Sequence, residues 1–167
     1  EDCKQVLLTA LEQALQRFCT MRENEGTNIQ ADFTTRLAYL LESVEKIAAL
    51  EPEIVAQYRT HLQEMLNELL AKQDIDTARI IQETALYADK VNYTEEVVRL
   101  RSHFQQFQTM LSEADEPIGR KLDFLVQEMN REINTIASKA NSMAAAQLSV
   151  DIKSEIEKLR EQIQNIE

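Results

Sequence analysis

Turn-forming residues are almost absent from this chain of 167 residues, which contains only two glycines and two prolines. β-Sheets joined by tight hairpins need such residues at their turns, so this composition argues against a sheet-based fold. No run of 18 apolar residues occurs in the sequence, which excludes a typical membrane-spanning helix. We therefore predict an all-α fold of six or seven helices, with an elongated helical arm or hairpin followed by a C-terminal helical bundle.

Cysteine is equally scarce, since Cys3 and Cys19 are the only two. Their spacing fits neither a zinc site nor a disulfide framework, so we expect a reducing compartment, the cytoplasm. The chain begins at Glu1 without a methionine or a signal peptide. Its first helical pattern is already under way at Val6 without a clear N-cap, and this predicts a fragment or a processed chain.

Positive charge is the third scarce feature, because the formal net charge is -11. Such a balance argues against a simple basic nucleic-acid-binding protein. The charge is unevenly distributed, however. Residues 99–139 contain six Lys and Arg against six Asp and Glu, with His103 in addition. A short basic surface can therefore exist in this part of the chain.

The few glycines and prolines predict where helices end. Gly26 is expected to end a first helix over about 2–25, because glycine is typical just past a helix terminus. Pro52 is expected in the first turn of a new helix, where proline is tolerated. The further predicted helices cover about 28–50, 52–71, 74 or 76 to 91, 92–112 and 143–167. Thr27 or Asn28 would cap the helix over 28–50, and Asn92 or Thr94 the helix over 92–112. Residues 72–76 would form a hinge.

The stretch 116–141 has the clearest amphipathic pattern in the chain. Apolar residues recur there at steps of three and four, which places them on one face of a helix. The members of this core face are Ile118, Leu122, Leu125, Met129, Ile133, Ile136 and Ala140. Phe124 lies nearly opposite that face, where an ordinary surface helix would have Lys or Glu. The polar faces of this helix are therefore the candidate functional surface.

A second polar row lies on the preceding predicted helix, where Glu96, Arg99 and His103 also step by three and four. One interpretation is a surface ion pair with a nearby histidine. The other is a binding row that combines an acid, a base and an imidazole that titrates near neutral pH. Spacing alone favours the first.

Two long segments and the tail resemble the YicC-like family of bacterial endoribonucleases. The segments are D-K-V-N-Y-T-E-E-V-V-R-L-R-S-H-F from residue 89 and G-R-K-L-D-F-L-V-Q-E-M-N-R-E-I-N-T-I-A-S-K-A from residue 119, and the tail is I-E-K-L-R-E-Q-I-Q-N-I-E. The family usually has Asp-Ile where this chain has Asn92-Tyr93, and Gly where it has Ala137. These departures remove no candidate reactive group.

The resemblance implies an architecture and an activity. Residues 1–91 would form a helical arm, residues 92–167 the family's C-terminal helical domain, and the family's amino-terminal domain would be absent from this chain. The family's proteins are expected to form hexameric rings that enclose and cleave single-stranded RNA, with a divalent cation such as Mg²⁺ or Mn²⁺. Whether this chain cuts RNA by itself is left open.

Metal-assisted RNA cleavage assigns roles to the polar faces. Glu128 and Glu132 stand four residues apart, so both carboxylates lie on one helix face and can hold a hard cation or act as a base. His103 is the candidate general acid or base. The candidate RNA-binding residues, which would hold phosphates, stack on a base or bond base and sugar edges, are Arg99, Arg120, Lys121, Phe124, Asn130, Arg131, Asn134 and Lys139.

Two other function classes remain open at the level of the sequence. The first is a non-catalytic RNA-binding adaptor that presents RNA to another nuclease, since no strong catalytic motif excludes it. The second is a purely structural helical oligomer, which would not bind RNA even at low salt, where electrostatic binding is strongest.

Overall fold

The computed structural model describes residues 2–70, 77–113, 116–164 and 166, and within these ranges it contains five α-helices and no strand. The helices are α1 (Asp2–Leu70), α2 (Thr77–Val91), α3 (Thr94–Glu113), α4 (Gly119–Lys139) and α5 (Met143–Ile163). The prediction of an all-α fold is confirmed. No helix in the described ranges is long and apolar enough to cross a membrane.

The predicted breaks at Gly26 and Pro52 are wrong, because α1 is one continuous helix from Asp2 to Leu70. Five described helices therefore replace the six or seven predicted, and no hairpin forms at Pro52. Gly26 does not adopt the left-handed conformation of a C-terminal cap, and within a helix it costs only about 1 kcal/mol relative to alanine. Pro52 removes one backbone hydrogen bond, which the other turns of a 69-residue helix outweigh.

The later helices agree closely with the sequence patterns. Helices α2, α3, α4 and α5 begin and end within a few residues of the predicted limits, while the predicted hinge at 72–76 lies outside the described residues. Asn92 helps to start α3, since its Oδ1 accepts a hydrogen bond from the backbone N–H of Thr94 over 3.1 Å. The competing cap, Thr94, is the first residue of α3.

The chain divides into two compact units, Glu1–Arg36 and Leu37–Glu167. In the first unit, apolar side chains are exposed along the helix surface: Val6, Leu7, Leu8, Leu11, Leu15, Phe18 and Met21. The guanidinium of Arg22 lies 5.8 Å from the centre of the Phe18 ring, within the range of a cation–π contact. The predicted division into residues 1–91 and 92–167 concerned family domains and stays a prediction.

In the second unit α4 packs against both α3 and α5. The predicted apolar face of α4 is buried from Leu122 to Ala140, and the apolar residues of α3 and α5 that face it are buried as well. Ion pairs fix the directions of the helices. Glu96 of α3 pairs with Lys139 at the end of α4, whereas Arg99 pairs with Glu132, about two turns earlier on α4. Helices α3 and α4 are therefore antiparallel.

The start of α4 is held against the end of the chain. A Cβ atom at Gly119 would lie 2.6 Å from the backbone oxygen of Ile166, closer than atoms in contact can approach. The residue must therefore be glycine as long as Ile166 keeps this position. Arg160 of α5 lies 3.6 Å from a carboxylate oxygen of Asp123, which makes a polar contact between α4 and α5.

Tyr93 connects the α2–α3 junction to α1. Its side chain is fully buried, and its hydroxyl donates a 2.8 Å hydrogen bond to the backbone oxygen of Ile47. Burial, and to a lesser extent the negative charge of Glu51, raise the pKa of Tyr93 to about 12. The folded protein therefore favours the neutral phenol more strongly than the unfolded chain does.

We expect this preference to be visible as alkaline destabilisation. Tyr93 stabilises the fold fully below the ordinary tyrosine pKa of about 10, and this contribution is lost as the pH rises from about 10 to 12. The variant Tyr93→Phe should lose about 1 kcal/mol of unfolding free energy at pH 7 but show a shallower loss above pH 10. Urea denaturation at pH 7, 9.5 and 11 measures both effects. Equal slopes above pH 10 for the two proteins would contradict the assignment.

Candidate metal centre

Polar residues line one edge of the contact between α3 and α4. Glu96, Arg99 and His103 occupy successive turns of α3, because they are three and four residues apart. Glu128, Glu132 and Lys139 are four and seven residues apart and share one face of α4, and the antiparallel arrangement sets the two rows side by side. We call these six residues the polar seam. The predicted row on α3 thus faces the predicted carboxylate face of α4.

Three residues of the polar seam converge on one point. One ring nitrogen of His103 and one carboxylate oxygen each of Glu128 and Glu132 lie within 4.8 Å of one another. Glu132 is 7% exposed, while His103 and Glu128 are half-buried. The Nδ1 atom of His103 is also buried and has no hydrogen-bond partner among the described residues. A buried polar atom without a partner is uncommon in a native structure, and a bound ion is one of its ordinary explanations.

The arrangement of these three atoms is close to that around a divalent cation. Protein nitrogen and oxygen ligands lie about 2.0–2.2 Å from a small divalent metal, so any two of them are at most about 4.4 Å apart. Side-chain shifts of a few tenths of an ångström would bring the group within that limit. Imidazole favours transition metals, while carboxylates also accept Mg²⁺ and Mn²⁺. One histidine with two glutamates therefore suits Mn²⁺ better than Mg²⁺.

Two arginines lie next to the carboxylates. Arg99 donates a 3.4 Å hydrogen bond to Oε1 of Glu132 and also pairs with Glu95, one turn away on its own helix. The charges of Glu95 and Glu132 raise the pKa of Arg99 above its usual value. Arg131 donates to Glu128 over 3.1 Å, and its side chain is otherwise exposed. Positive charge is thus held at the rim of the cluster, where a phosphate group could approach.

The far end of the polar seam is a buried ion pair. Nζ of Lys139 lies 2.6 Å from Oε1 of Glu96, whose side chain is only 5% exposed. The second carboxylate oxygen of Glu96 is buried without a hydrogen-bond partner in the described part of the chain. Lys139 was predicted to bind RNA, and the structure gives it a structural partner instead of leaving it free. Its RNA-binding role stays a prediction.

The other predicted RNA-binding residues lie in two groups on α4. Lys121 and Phe124 are on the side of the cluster, one to two turns before Glu128, and Phe124 is 61% exposed. Arg120 lies one turn before Phe124, whereas the helical repeat places Asn130 and Asn134 away from that side. Asp123 shares their flank and approaches Arg160 of α5. Asn130 and Asn134 are therefore not on the side of α4 that carries the His103 cluster.

The sequence pattern predicted an acid–base role for His103 and did not predict it as a third ligand. The two glutamates were found because they are four residues apart on one helix. The histidine comes from another helix, and its distance from them depends on how α3 and α4 are aligned. The sequence contained only a weak signal for this third ligand. Glu96, Arg99 and His103 have helical spacing on α3, and α4 also has a polar face.

Comparison with known proteins assigns the chain to a family. Residues 47–167 match the family described as "Endoribonuclease YicC-like, C-terminal". The chain belongs to this family. A protein of Clostridioides difficile (strain 630) named "Probable endoribonuclease YicC" is 45% identical over 163 residues, which are 97% of this chain and 55% of that protein.

A second relative carries the same name in Haemophilus influenzae (strain ATCC 51907 / DSM 11121 / KW20 / Rd). It is 35% identical over 163 residues, which are 98% of this chain and 56% of the relative. The chain thus spans about half the length of the curated YicC relatives that it matches. Its polar seam lies wholly inside the part that matches the YicC-like C-terminal family.

Proposed function

We propose that this chain carries the catalytic centre of a metal-assisted endoribonuclease that cleaves single-stranded RNA. The observation that carries the proposal is the convergence of His103, Glu128 and Glu132 from two antiparallel helices, with the ligand atoms within 4.8 Å of one another. The names of the two relatives support the reaction class, since both are called probable endoribonucleases.

In this proposal the cluster of His103, Glu128 and Glu132 holds one divalent cation. A cation held there would supply a bound water of lowered pKa and positive charge for the phosphate undergoing attack. Arg131 and Arg99 would bind the phosphate oxygens, because their guanidinium groups already lie at the rim of the carboxylates. Lys121 and Phe124 would contact the RNA further along α4, through a phosphate and through a base.

We assign His103 as a ligand in preference to a general acid or base. One of its ring nitrogens lies within 4.8 Å of an oxygen of each carboxylate, and its buried Nδ1 has no hydrogen-bond partner among the described residues. A nitrogen that binds a metal ion no longer accepts a proton, so the two roles exclude each other at that atom. The leaving oxygen would then be protonated by water.

The proposed substrate, single-stranded RNA, and the proposed assembly, a homo-hexameric ring, both follow from the family resemblance. Single-stranded RNA is proposed because exposed Phe124 offers a face for an unpaired base. The homo-hexameric ring stays a prediction, as does the cytoplasmic location. The chain has a formal net charge of -11, so its surface repels RNA as a whole. Close contact with RNA would therefore depend on Arg99, Arg131 and the cation.

Removal of the metal tests the proposal. We expect the full-length natural protein, after treatment with a chelator, to cleave end-labelled single-stranded RNA at least about 100-fold more slowly than when loaded with Mn²⁺. Mn²⁺ should restore the rate better than Mg²⁺, because of the imidazole ligand. Duplex RNA of the same sequence is the control substrate and should be cut poorly.

Two results would favour the other function classes. RNA that is bound but remains intact with Mn²⁺, Mg²⁺ and Zn²⁺ would replace the nuclease by the RNA-binding adaptor. No binding of RNA even in low salt, where electrostatic attraction is strongest, would leave only a structural role for this helical domain.

A further inference from the structure

A second candidate site lies outside the polar seam, in an open pocket of about 480 Å³. Three separate parts of the second compact unit form it: α1, α2 and the junction between α4 and α5. The residues that matter for its chemistry are Gln57, Tyr58, His61, Tyr87, Asn141 and Ser142. None of them is needed for the metal centre, and none belongs to the predicted site.

Two tyrosines give the pocket a flat aromatic wall. The rings of Tyr58 and Tyr87 stack with their centres 3.7 Å apart and their planes within 10° of parallel. Both side chains are half-buried and line the pocket. Proteins that bind single-stranded nucleic acid stack bases on aromatic side chains of this kind, because every base has a flat π face. A nucleobase in the pocket could therefore continue the stack.

Asn141 holds one of these rings in place. Its Nδ2 donates a 3.1 Å hydrogen bond to the hydroxyl of Tyr87. The backbone of Asn141 has φ of +38°, and it is the one non-glycine residue with positive φ in the described chain. Asparagine adopts this conformation more readily than most residues, and it is common directly after a helix C-cap such as Ala140. Asn141 thus turns the chain from α4 into α5 and presents its amide to the pocket.

The start of α5 adds groups that suit an anion. Ser142 is the N-cap of this 21-residue helix, but its side chain makes no capping hydrogen bond. The first N–H groups of a helix have no partner within the helix, and they carry partial positive charge. Ser142, Met143 and Ala144 all line the pocket. The pocket therefore offers partners for two parts of a nucleotide. The aromatic wall suits a base, and the polar groups at the uncapped start of α5 suit a phosphate.

We propose that this pocket binds one nucleotide of a single-stranded RNA, with the base on the tyrosine wall and its phosphate at the start of α5. The inference rests on the proposed function and extends it by a second RNA contact. Asn141 follows Glu132 by nine residues, which is about 13 Å along a helix. The metal centre and the pocket are thus neighbouring sites along the axis of α4.

Loss of the aromatic wall tests the proposal. The full-length natural protein, with a chelator present to prevent cleavage, is titrated into a fluorescein-labelled single-stranded 12-nucleotide RNA while anisotropy is recorded. Tyr58→Leu and Tyr87→Leu should each weaken binding on the order of tenfold, whereas Tyr87→Phe, which keeps the ring, should bind within about threefold of the wild type. Tyr39→Leu is the matched control, because Tyr39 is exposed on α1 outside the pocket, and its affinity should not change.

A measurement on the unaltered protein removes any doubt about folding of the leucine variants. RNA that contains 4-thiouridine is crosslinked by light to the wild type, and the attached peptides are identified by mass spectrometry. Crosslinks within residues 54–61, 87 or 141–144 are expected. Crosslinks confined to other segments would overturn the pocket, as would leucine variants that are folded and bind RNA with unchanged affinity.

The outcomes separate this proposal from the nuclease proposal. Unchanged RNA affinity in both leucine variants, with cleavage that still requires Glu128, would overturn the pocket and leave the metal centre standing. Weaker binding by the leucine variants of a protein that cuts RNA with no metal ion would uphold the pocket and overturn the metal centre. Binding of AMP to the pocket without any effect of the tyrosine variants on RNA would overturn the assignment of RNA as its ligand.

Discussion

Replacement of Glu132 by glutamine is expected to lower the rate of RNA cleavage by about a thousandfold, which corresponds to roughly 4 kcal/mol of transition-state free energy. Glu132 provides one of the three converging ligand atoms and is the most deeply buried of the three residues. Glutamine keeps the shape of the side chain but removes the charge that would hold a cation. Glu128→Gln should have a similar effect, because it removes the second carboxylate of the same cluster.

The design separates catalysis from folding and from RNA binding. Glu116→Gln makes the same chemical change on an exposed residue just before α4, and it should cleave like the wild type. Single-turnover cleavage of labelled RNA gives the rate, circular dichroism reports the helices, and a Mn²⁺ titration reports the affinity for metal. Cleavage by folded Glu128→Gln and Glu132→Gln variants at the wild-type rate would contradict the assignment of these residues.

The variant that combines Glu128→Gln with Glu132→Gln tests whether the two carboxylates act on the same cation. If both carboxylates act on one cation, their removal together should cost little more than either removal alone, because the ion is already lost. Two independent roles would instead give effects that multiply. This comparison separates a shared metal centre from two glutamates that bind RNA or a neighbouring subunit separately.

The largest expected effect on stability concerns Lys139, whose replacement by methionine should destabilise the fold by about 2–3 kcal/mol. The reason is Glu96, whose carboxylate would lose the ammonium group of Lys139 in a site where its side chain is 5% exposed. Removal of one partner of a buried ion pair costs about 3–5 kcal/mol. The lower figure applies here because Lys139 is itself 35% exposed, so water can approach the pair.

A double-mutant cycle tests this explanation. Glu96→Gln together with Lys139→Met removes both charges, so it should recover at least half of the lost unfolding free energy. Lys121→Met is the control, since Lys121 is exposed on the same helix and its loss should cost less than about 0.5 kcal/mol. Urea denaturation measures the unfolding free energy of the wild type, of the Glu96→Gln and Lys139→Met single variants, of the double variant and of the control. A Lys139→Met variant as stable as the Lys121→Met variant would show that the pair contributes nothing.

The amphipathic pattern of residues 116–141 was sufficient to predict α4 and its buried face. The same reasoning found Glu128 and Glu132, because residues four apart share a face of any helix. It failed at Gly26 and Pro52, where local preference opposes a helix by a few kcal/mol and the helix continues regardless. A single glycine or proline is therefore weak evidence for the end of a helix when the segments on both sides of it form helices.

Two features depend on the tertiary structure and could not be read from spacing. His103 meets the glutamates because α3 and α4 pack antiparallel with one particular alignment. The tyrosine pocket combines Tyr58, Tyr87 and Asn141, which lie 29 and 54 residues apart in the chain. Neither the stack nor the left-handed conformation of Asn141 leaves a periodic signal in the sequence.

The alternating charges of the polar seam also select one alignment of α3 on α4. Apolar residues at helical spacing would tolerate a slide of one helical turn, about 5.4 Å, because the same kinds of side chain would meet again. After such a slide Arg99 would face Glu128, while Glu96 would face Thr135 and lose its lysine. A buried carboxylate without a cation makes that alternative costly. The two ion pairs between α3 and α4 therefore also destabilise arrangements shifted by one turn. In such an arrangement His103 would lie one turn away from Glu128 and Glu132.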